Sequence, residues 1–136
     1  MKKAQDEILE QSQEVEKQMA ISIKKAEYQE AEVEKVINNL DKLAQGNLDM
    51  IIDMAPHDED TKEVAESIER INNSLEASTV AVKSYISEIA EVLSKMAEKD
   101  ISHSIEREYL GHFIQLKESI NNIDKDAENE DEENLQ

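Results

Sequence analysis

Only three residues of this chain can strongly interrupt an α-helix, namely Gly46, Pro56 and Gly111. Because the 136 residues include just two glycines and one proline, long helices must occupy most of the chain. No stretch of useful length alternates apolar and polar residues as a β-strand would. The sequence therefore predicts an all-α fold, with helices at about 4–45, 60–98 and 110–127 joined by two connectors.

A block of thirteen residues occurs twice in the chain. Residues 40–52 read LDKLAQGNLDMII and residues 93–105 read LSKMAEKDISHSI, so the offset between the copies is 53 residues. Each copy is followed by the tripeptide INN, at residues 71–73 and at residues 120–122. A repeat of about this period is typical of stacked supersecondary units. Each unit is interpreted as a helix end, a short connector and a new helix.

The second predicted helix has the most regular apolar pattern. From Val64 to Met96 its seam positions are spaced 4-3-4-3-4-3-4-3-4, and Ser78 is the one polar residue among the ten. A sustained period of 3.5 residues predicts a left-handed coiled coil. Asp60 followed by Glu63 indicates a capping-box start. The expected core residues of the helices are Val64, Ile68, Ile71, Leu75, Val82, Ile89 and Met96, with Ile120 from the third helix.

The first helix has a weaker seam, formed by Ile8, Val15, Met19, Ala26, Val33, Val36, Leu40 and Leu43 and interrupted by Ser12, Ser22 and Gln29. It is regular only from Val33 onward. The last thirteen residues hold seven acids and one base, a composition typical of disorder. The predicted organisation is therefore a helical lead-in at 1–32, a first unit at 33–78, a second unit at 79–124 and an acidic disordered tail at 125–136.

The connectors are not plain polar loops, because apolar residues recur in them at equivalent places. Leu48 matches Ile101, and Ile52 matches Ile105. This pattern predicts that each connector packs against the helices. The residues expected to position the connectors are Gly46, Leu48, Ile52, Ile101, Ile105, Gly111 and Phe113.

The composition excludes several classes of function. A net charge of −18 disfavours nucleic acid and anionic membrane surfaces, which both bind basic protein surfaces. Without cysteine the chain has no disulfide and no thiolate metal site. It also lacks an apolar run long enough for a transmembrane span, so no direct membrane insertion is expected.

The most obvious candidates for metal ligands are three histidines, His57, His103 and His112. Their spacing matches no zinc site, so they are interpreted as exposed or packing side chains. The numerous carboxylates follow outer helix faces, where pairing with lysine four residues away is the ordinary explanation. No catalytic residues, metal ligands or cofactor are therefore expected.

These features together resemble the HAMP domain, the linker module of bacterial transmembrane receptors. The turn Gly46-Asn47-Leu48 is similar to the turn of a first HAMP unit, and Lys99-Asp100-Ile101 stands at the same place in a second. Because Lys99 replaces the glycine usual in the family, a turn of another form is an alternative there. The segment from Tyr109 through Gly111, Phe113, Leu116 and Lys117 to Ile120-Asn121 is similar to a stretch of methyl-accepting chemotaxis receptors. The resemblance covers about residues 33–124.

The resemblance implies two consecutive HAMP-like units in a parallel homodimeric four-helix coiled-coil bundle. It also implies a non-enzymatic signal relay between the sensor and output domains of a longer bacterial receptor, in the cytoplasm and near the membrane. The alternative is a structural coiled-coil adapter that binds another protein. The two differ in the connectors, because a scaffold should tolerate polar replacements at Leu48 and Ile101 and a relay should not.

Overall fold

The computed structural model describes residues 2–135, and the side chains of residues 2–126. It contains three α-helices and no strand within those residues. Helix α1 spans Lys2–Ala44, α2 spans Lys62–Ala97 and α3 spans Phe113–Leu135. Residues 45–61 form connector 1 and residues 98–112 form connector 2. The all-α prediction is confirmed.

The third helix differs most from the predicted bounds. The sequence predicts an end near residue 127, whereas α3 is helical as far as Leu135. The physical reason is that no glycine or proline follows Gly111, and glutamate, which is frequent in this stretch, is a good helix former. The predicted disorder of the acidic tail stays a prediction for solution, and the side chains of residues 127–136 lie outside the described part.

The chain divides into two compact units, Met1–Thr79 and Val80–Gln136. In the first unit, connector 1 runs back along α1. Ile51 of the connector is hydrogen-bonded to Asn39 of α1. Asp58 lies seven residues after Ile51 and is hydrogen-bonded to Lys24, which lies fifteen residues before Asn39. Seven extended residues cover about 23 Å, and fifteen helical residues also cover about 23 Å. An extended connector 1 therefore brings the start of α2 beside the middle of α1.

Residues 2–20 of α1 are all exposed, so the first half of α2, which has a buried face, must lie along the later part of α1 and run in the same direction. Buried residues recur along its first half at spacings of three and four, at Ala65, Ile68, Asn72, Leu75 and Thr79. This is the spacing of one helix face. Since α1 and connector 1 are the other elements of this unit, that face packs against them. The unit is thus a pair of parallel helices with an extended connector lying along them.

The second unit has the same form. The buried core consists of Tyr85, Val92, Ile105, Tyr109 and Ile120, which come from α2, connector 2 and α3. The ring of Phe113, at the start of α3, lies 4.7 Å from that of Tyr85, while Ile120 joins the core one heptad further on. Tyr109 is hydrogen-bonded to Glu88 of α2, and Ile105 is hydrogen-bonded to Asn121 of α3. Connector 2 therefore also runs back along its helices.

Candidate functional site

Both helix ends that precede a connector close with the same turn. The amide of Gly46 donates to the carbonyl of Leu43 at 2.9 Å, and that of Asn47 donates to Lys42 at 2.9 Å. Fifty-three residues later, the amide of Lys99 donates to Met96 at 3.0 Å and that of Asp100 donates to Lys95 at 2.9 Å. These pairs of bonds define a Schellman motif, whose turn residue must be left-handed.

The turn residues themselves differ chemically. Gly46 has φ = 83° and Lys99 has φ = 68°, so both adopt the left-handed conformation. Glycine reaches this region without penalty, whereas a side chain such as that of lysine is strained there. The alternative that Lys99 gives a turn of another form is therefore wrong. The second unit keeps the turn of the first and carries backbone strain in doing so.

The equivalence extends into the start of each connector. The side chain of Asn47 accepts the amide of Asp49 at 2.9 Å, and the side chain of Asp100 accepts that of Ser102 at 3.1 Å. These Asx turns redirect the chain after the helix end. The Ser102 hydroxyl also donates to Asp100, which lowers the pKa of that carboxyl below its usual value.

An asparagine side chain clamps the backbone of each connector. Asn39 on α1 donates to the carbonyl of Ile51 at 2.9 Å and accepts its amide at 3.1 Å. In the second unit, Asn121 on α3 donates to the carbonyl of Ile105 at 2.9 Å and accepts its amide at 2.9 Å. One amide side chain thus satisfies both backbone groups of a connector residue, as a neighbouring strand would in a sheet. The two clamps come from different helices, the first from the helix that precedes its connector and the second from the helix that follows it.

Connector 1 has further bonds to α1. Glu32 is buried and accepts the amide of Ala55 at 3.1 Å, while the hydroxyl of Tyr28 donates to the carbonyl of Ala55 at 2.9 Å. Lys24 forms ion pairs with Asp58 and, at 3.3 Å, with Asp60. The hydrogen bond between Lys24 and Asp58 raises the pKa of the ammonium and lowers that of the carboxyl. Connector 1 is therefore attached to α1 along the stretch from Lys24 to Asn39.

Connector 2 has an aromatic cluster where connector 1 has ion pairs. The ring of Tyr85 on α2 lies 4.5 Å from that of Tyr109, and the guanidinium carbon of Arg107 lies 4.9 Å from the centre of the Tyr85 ring. Glu88 accepts from the Tyr109 hydroxyl at 2.5 Å and from Arg107 at 3.0 Å. Burial, with the hydrogen bond to Glu88 as the next contribution, raises the pKa of Tyr109 to about 12.

The start of α2 is capped, but by a different pair from the predicted one. The carboxylate of Asp58 accepts the amides of Asp60 and Thr61 at 3.1 and 3.2 Å, and the hydroxyl of Thr61 accepts the amide of Asp58 at 3.0 Å. Helix α2 then begins at Lys62. The prediction of Asp60 and Glu63 as the capping box is wrong, because the chain still turns at residue 60 and the reciprocal pair lies earlier. Asp58 therefore belongs both to the cap and to the ion pair with α1.

The predicted connector residues fall into two groups. Ile105 is 2% exposed, and Leu48, Ile52, Ile101 and Phe113 are half-buried. Gly46 and Gly111 are exposed turn residues with positive φ. Half-burial indicates that Leu48 and Ile101 cover the helices rather than insert fully between them.

The predicted core residues of the helices are mostly covered within one chain. Ile68, Leu75 and Ile120 are buried, and Val64, Val82, Ile89 and Met96 are half-buried. Ile71 differs, because it lies on the same seam and remains 46% exposed.

Sequence reasoning did not identify the polar residues that hold the connectors, namely Lys24, Tyr28, Glu32, Asn39, Asp58, Glu88, Arg107 and Asn121. One signal could have identified the asparagines. The tripeptide INN occurs three times, at residues 37–39, 71–73 and 120–122, once in each helix. In each copy one asparagine is buried or clamps a connector, which is unusual for a polar pair on a helix.

The histidines do not converge. His103 pairs with Asp100 at 3.2 Å, and His57 and His112 are exposed. Within the described residues no group of three or more histidine, aspartate or glutamate side chains is arranged to hold a metal ion.

Residues 63–128 match the sequence model of the HAMP domain. This segment contains nearly all of α2, the whole of connector 2 and the first part of α3. No curated protein and no solved structure matches the chain. Residues 63–128, just under half of the chain, are therefore similar to the HAMP domain, a non-catalytic signalling module. Of the described helices, none is sufficiently long and apolar to cross a membrane.

Proposed function

We propose that this chain relays a conformational signal through two consecutive HAMP-like units, at residues 33–78 and 79–124, in a parallel homodimeric four-helix bundle. The observation that carries the proposal is the recurrence of one architecture. The turn and Asx geometry of connector 2, inside the matched segment, returns 53 residues earlier in connector 1. Both connectors then run back between parallel helices.

The exposed seam residues support a homodimer. In the first unit Leu40, Leu43 and Ile71 occupy heptad positions and are between a third and a half exposed. In the second unit Leu116 and Ile123 occupy heptad positions on α3 and are similarly exposed. Apolar residues with this period form the contact between helices in a coiled coil. A second copy, placed parallel to the first, would cover them.

The attachment of connector 1 gives the relay a physical route. Side chains of α1 bond connector 1, and the last residues of the connector cap α2 through Asp58 and Thr61. A rotation or displacement of α1 would carry connector 1 with it and move the start of α2. Helix α2 is continuous from Lys62 to Ala97 and supplies residues to both units. Two packings of similar free energy in each unit would convert such a movement into a switch.

The wider context of the proposal is a bacterial receptor of the chemotaxis type. The chain would connect a sensor to an output domain, which belong to the same receptor or to an adjacent signalling protein, on the cytoplasmic side and close to the membrane. The alternative function is a structural coiled-coil adapter. The polar bonds that fix both connectors favour the relay, because an adapter needs only an exposed helical surface.

The experiment that tests the relay shortens one side chain in connector 1 and measures a distance with a spin label in the second unit. Leu48→Ala removes half-buried methyl groups, for which we expect a loss of about 1–2 kcal/mol in unfolding free energy. Ile51→Ala, in the same connector, removes methyl groups that are 62% exposed and serves as the control. A spin label at Ser119→Cys, an exposed position on α3, reports the distance between the two chains of the dimer.

We expect Leu48→Ala to change that distance distribution and Ile51→Ala to leave it unaltered. If a folded Leu48→Ala dimer keeps the original distances, the units are not coupled and the adapter is the better description. Light scattering on the same samples tests the dimer, since a monomer would contradict the bundle itself.

A further inference from the structure

The first half of α1 carries an apolar stripe that no other part of the described chain covers. Residues 2–20 are all exposed. The stripe consists of Ile8, Val15, Met19 and Ile23, each between 57% and 65% exposed. In proteins most of the stability of a helix comes from packing its apolar face, so an uncovered stripe needs an explanation.

The stripe continues the register of the first unit. When Val33 and Val36 are assigned to heptad positions a and d, the same count places Met19 at a, and Ile8 and Val15 at d. Ile23 falls at the neighbouring e position and widens the stripe. The seam that packs in the first unit therefore extends without a phase shift to the beginning of the helix.

The flanking charges favour a parallel copy of the same helix. Lys25 lies at position g and Glu30 at position e of the next heptad. In a parallel, in-register pair these positions face each other across the interface, so the two copies would form two ion pairs. Residues 2–23 carry five acids and three lysines, which disfavours an anionic membrane surface as the occupant.

We infer that residues 5–30 of α1 form a parallel two-stranded coiled coil with the same residues of a second copy. The inference rests on the proposed function, because the parallel dimer of the first unit aligns the two helices. Ser12, Ser22 and Gln29 occupy a and d positions, so the coil is weak by itself. Its pairing depends on the bundle holding the two α1 helices at high effective concentration. A weak coil of this kind suits the input end of a relay, since a small force at the start of α1 can separate or rotate its strands.

The test uses disulfide formation in the full chain, which contains no natural cysteine. Ser12→Cys and Ser22→Cys place a thiol at positions a and d, and Lys17→Cys places one at the outward position f as the matched control. All three native residues are exposed. A disulfide requires Cβ atoms only about 4 Å apart, a separation available at the seam and not at position f. We expect at least about fivefold more disulfide-linked dimer for the two seam variants than for the control.

Each outcome decides between explanations. If light scattering shows a dimer while all three variants crosslink equally, the coiled coil is wrong and the relay proposal stands. A monomer contradicts both. Preferential crosslinking between a Ser12→Cys chain and a Ser22→Cys chain would indicate an antiparallel pair and would overturn the inference.

Discussion

The two hydrogen bonds between Asn121 and the backbone of Ile105 predict how much unfolding free energy is lost when the Asn121 side chain is removed. Asn121→Ala removes two hydrogen bonds of 2.9 Å and leaves the amide and the carbonyl of Ile105 without their partner. Ile105 is 2% exposed, so water reaches these groups only if the connector moves. The change leaves the apolar side chains of the core in place. It therefore tests the polar clamp by itself.

The expected magnitude follows from the buried backbone groups. An unsatisfied buried donor or acceptor costs about 1–3 kcal/mol, so two such groups would cost about 2–4 kcal/mol after partial relaxation. Alanine is the better helix former, and this offsets about 0.5 kcal/mol. The net loss of unfolding free energy should be about 1.5–3.5 kcal/mol.

Asn122→Ala is the matched control. Asn122 is the next residue on α3 and is exposed, so its replacement brings only the gain in helix propensity. We expect the two neighbouring asparagines to shift stability in opposite directions. Urea denaturation followed by circular dichroism, at one fixed protein concentration, measures both variants against the parent chain. Equal shifts of under about 0.5 kcal/mol would mean that apolar packing alone holds connector 2. Faster hydrogen exchange at the Ile105 amide would confirm which bond was lost.

Two further predictions concern the turns and the aromatic cluster. Lys99→Gly should stabilise the protein by about 0.5–1 kcal/mol because it removes left-handed strain. Gly46→Ala should destabilise it by about 1 kcal/mol through φ alone, since the space around a new Cβ is empty. Thermal unfolding measures both, and a loss on Lys99→Gly would contradict the strain argument. Tyr109 should titrate near pH 12. Its titration is measured by phenolate absorbance, and Tyr109→Phe, which lacks this signal, identifies it. Glu88→Gln should lower the pKa of Tyr109. Because its folded pKa is raised, the stability that this tyrosine contributes is complete below about pH 10 and is lost as the pH rises toward 12. A midpoint near pH 10 in the folded protein would show that Tyr109 is solvated.

Much of the fold could be predicted because it depends on local rules. Scarce glycine and proline leave three helices, and the repeat offset of 53 residues predicts two equivalent turns, which the hydrogen bonds at Gly46 and Lys99 reproduce. The resemblance to the HAMP domain is confirmed for residues 63–128. These features are determined by spacing and by residue type, which the sequence displays directly.

The polar contacts of the connectors could not be predicted in the same way. Each INN tripeptide presents two asparagines, and which of them is buried depends on where an extended connector lies against the helix. Asn39, the second of its pair, clamps connector 1, while Asn121, the first of its pair, clamps connector 2. Glutamate is usually a surface residue, yet Glu32 is buried where it accepts the amide of Ala55. Such contacts depend on tertiary register, which no local pattern specifies.

The geometry of connector 1 also limits how such a unit can change in length. An extended residue advances about 3.3 Å and a helical residue about 1.5 Å, so an insertion in the connector must be matched by roughly twice as many helical residues. The helical insertion must also be a multiple of seven to keep the seam, and the connector insertion must be even to keep its inward side chains inward. About fourteen helical and six connector residues is the smallest step that meets both conditions. The extended stretch between Ile51 and Asp58 is itself only seven residues long. The length of the unit can therefore change only in such large steps. Single-residue insertions or deletions in connector 1 should be tolerated far less well than substitutions there.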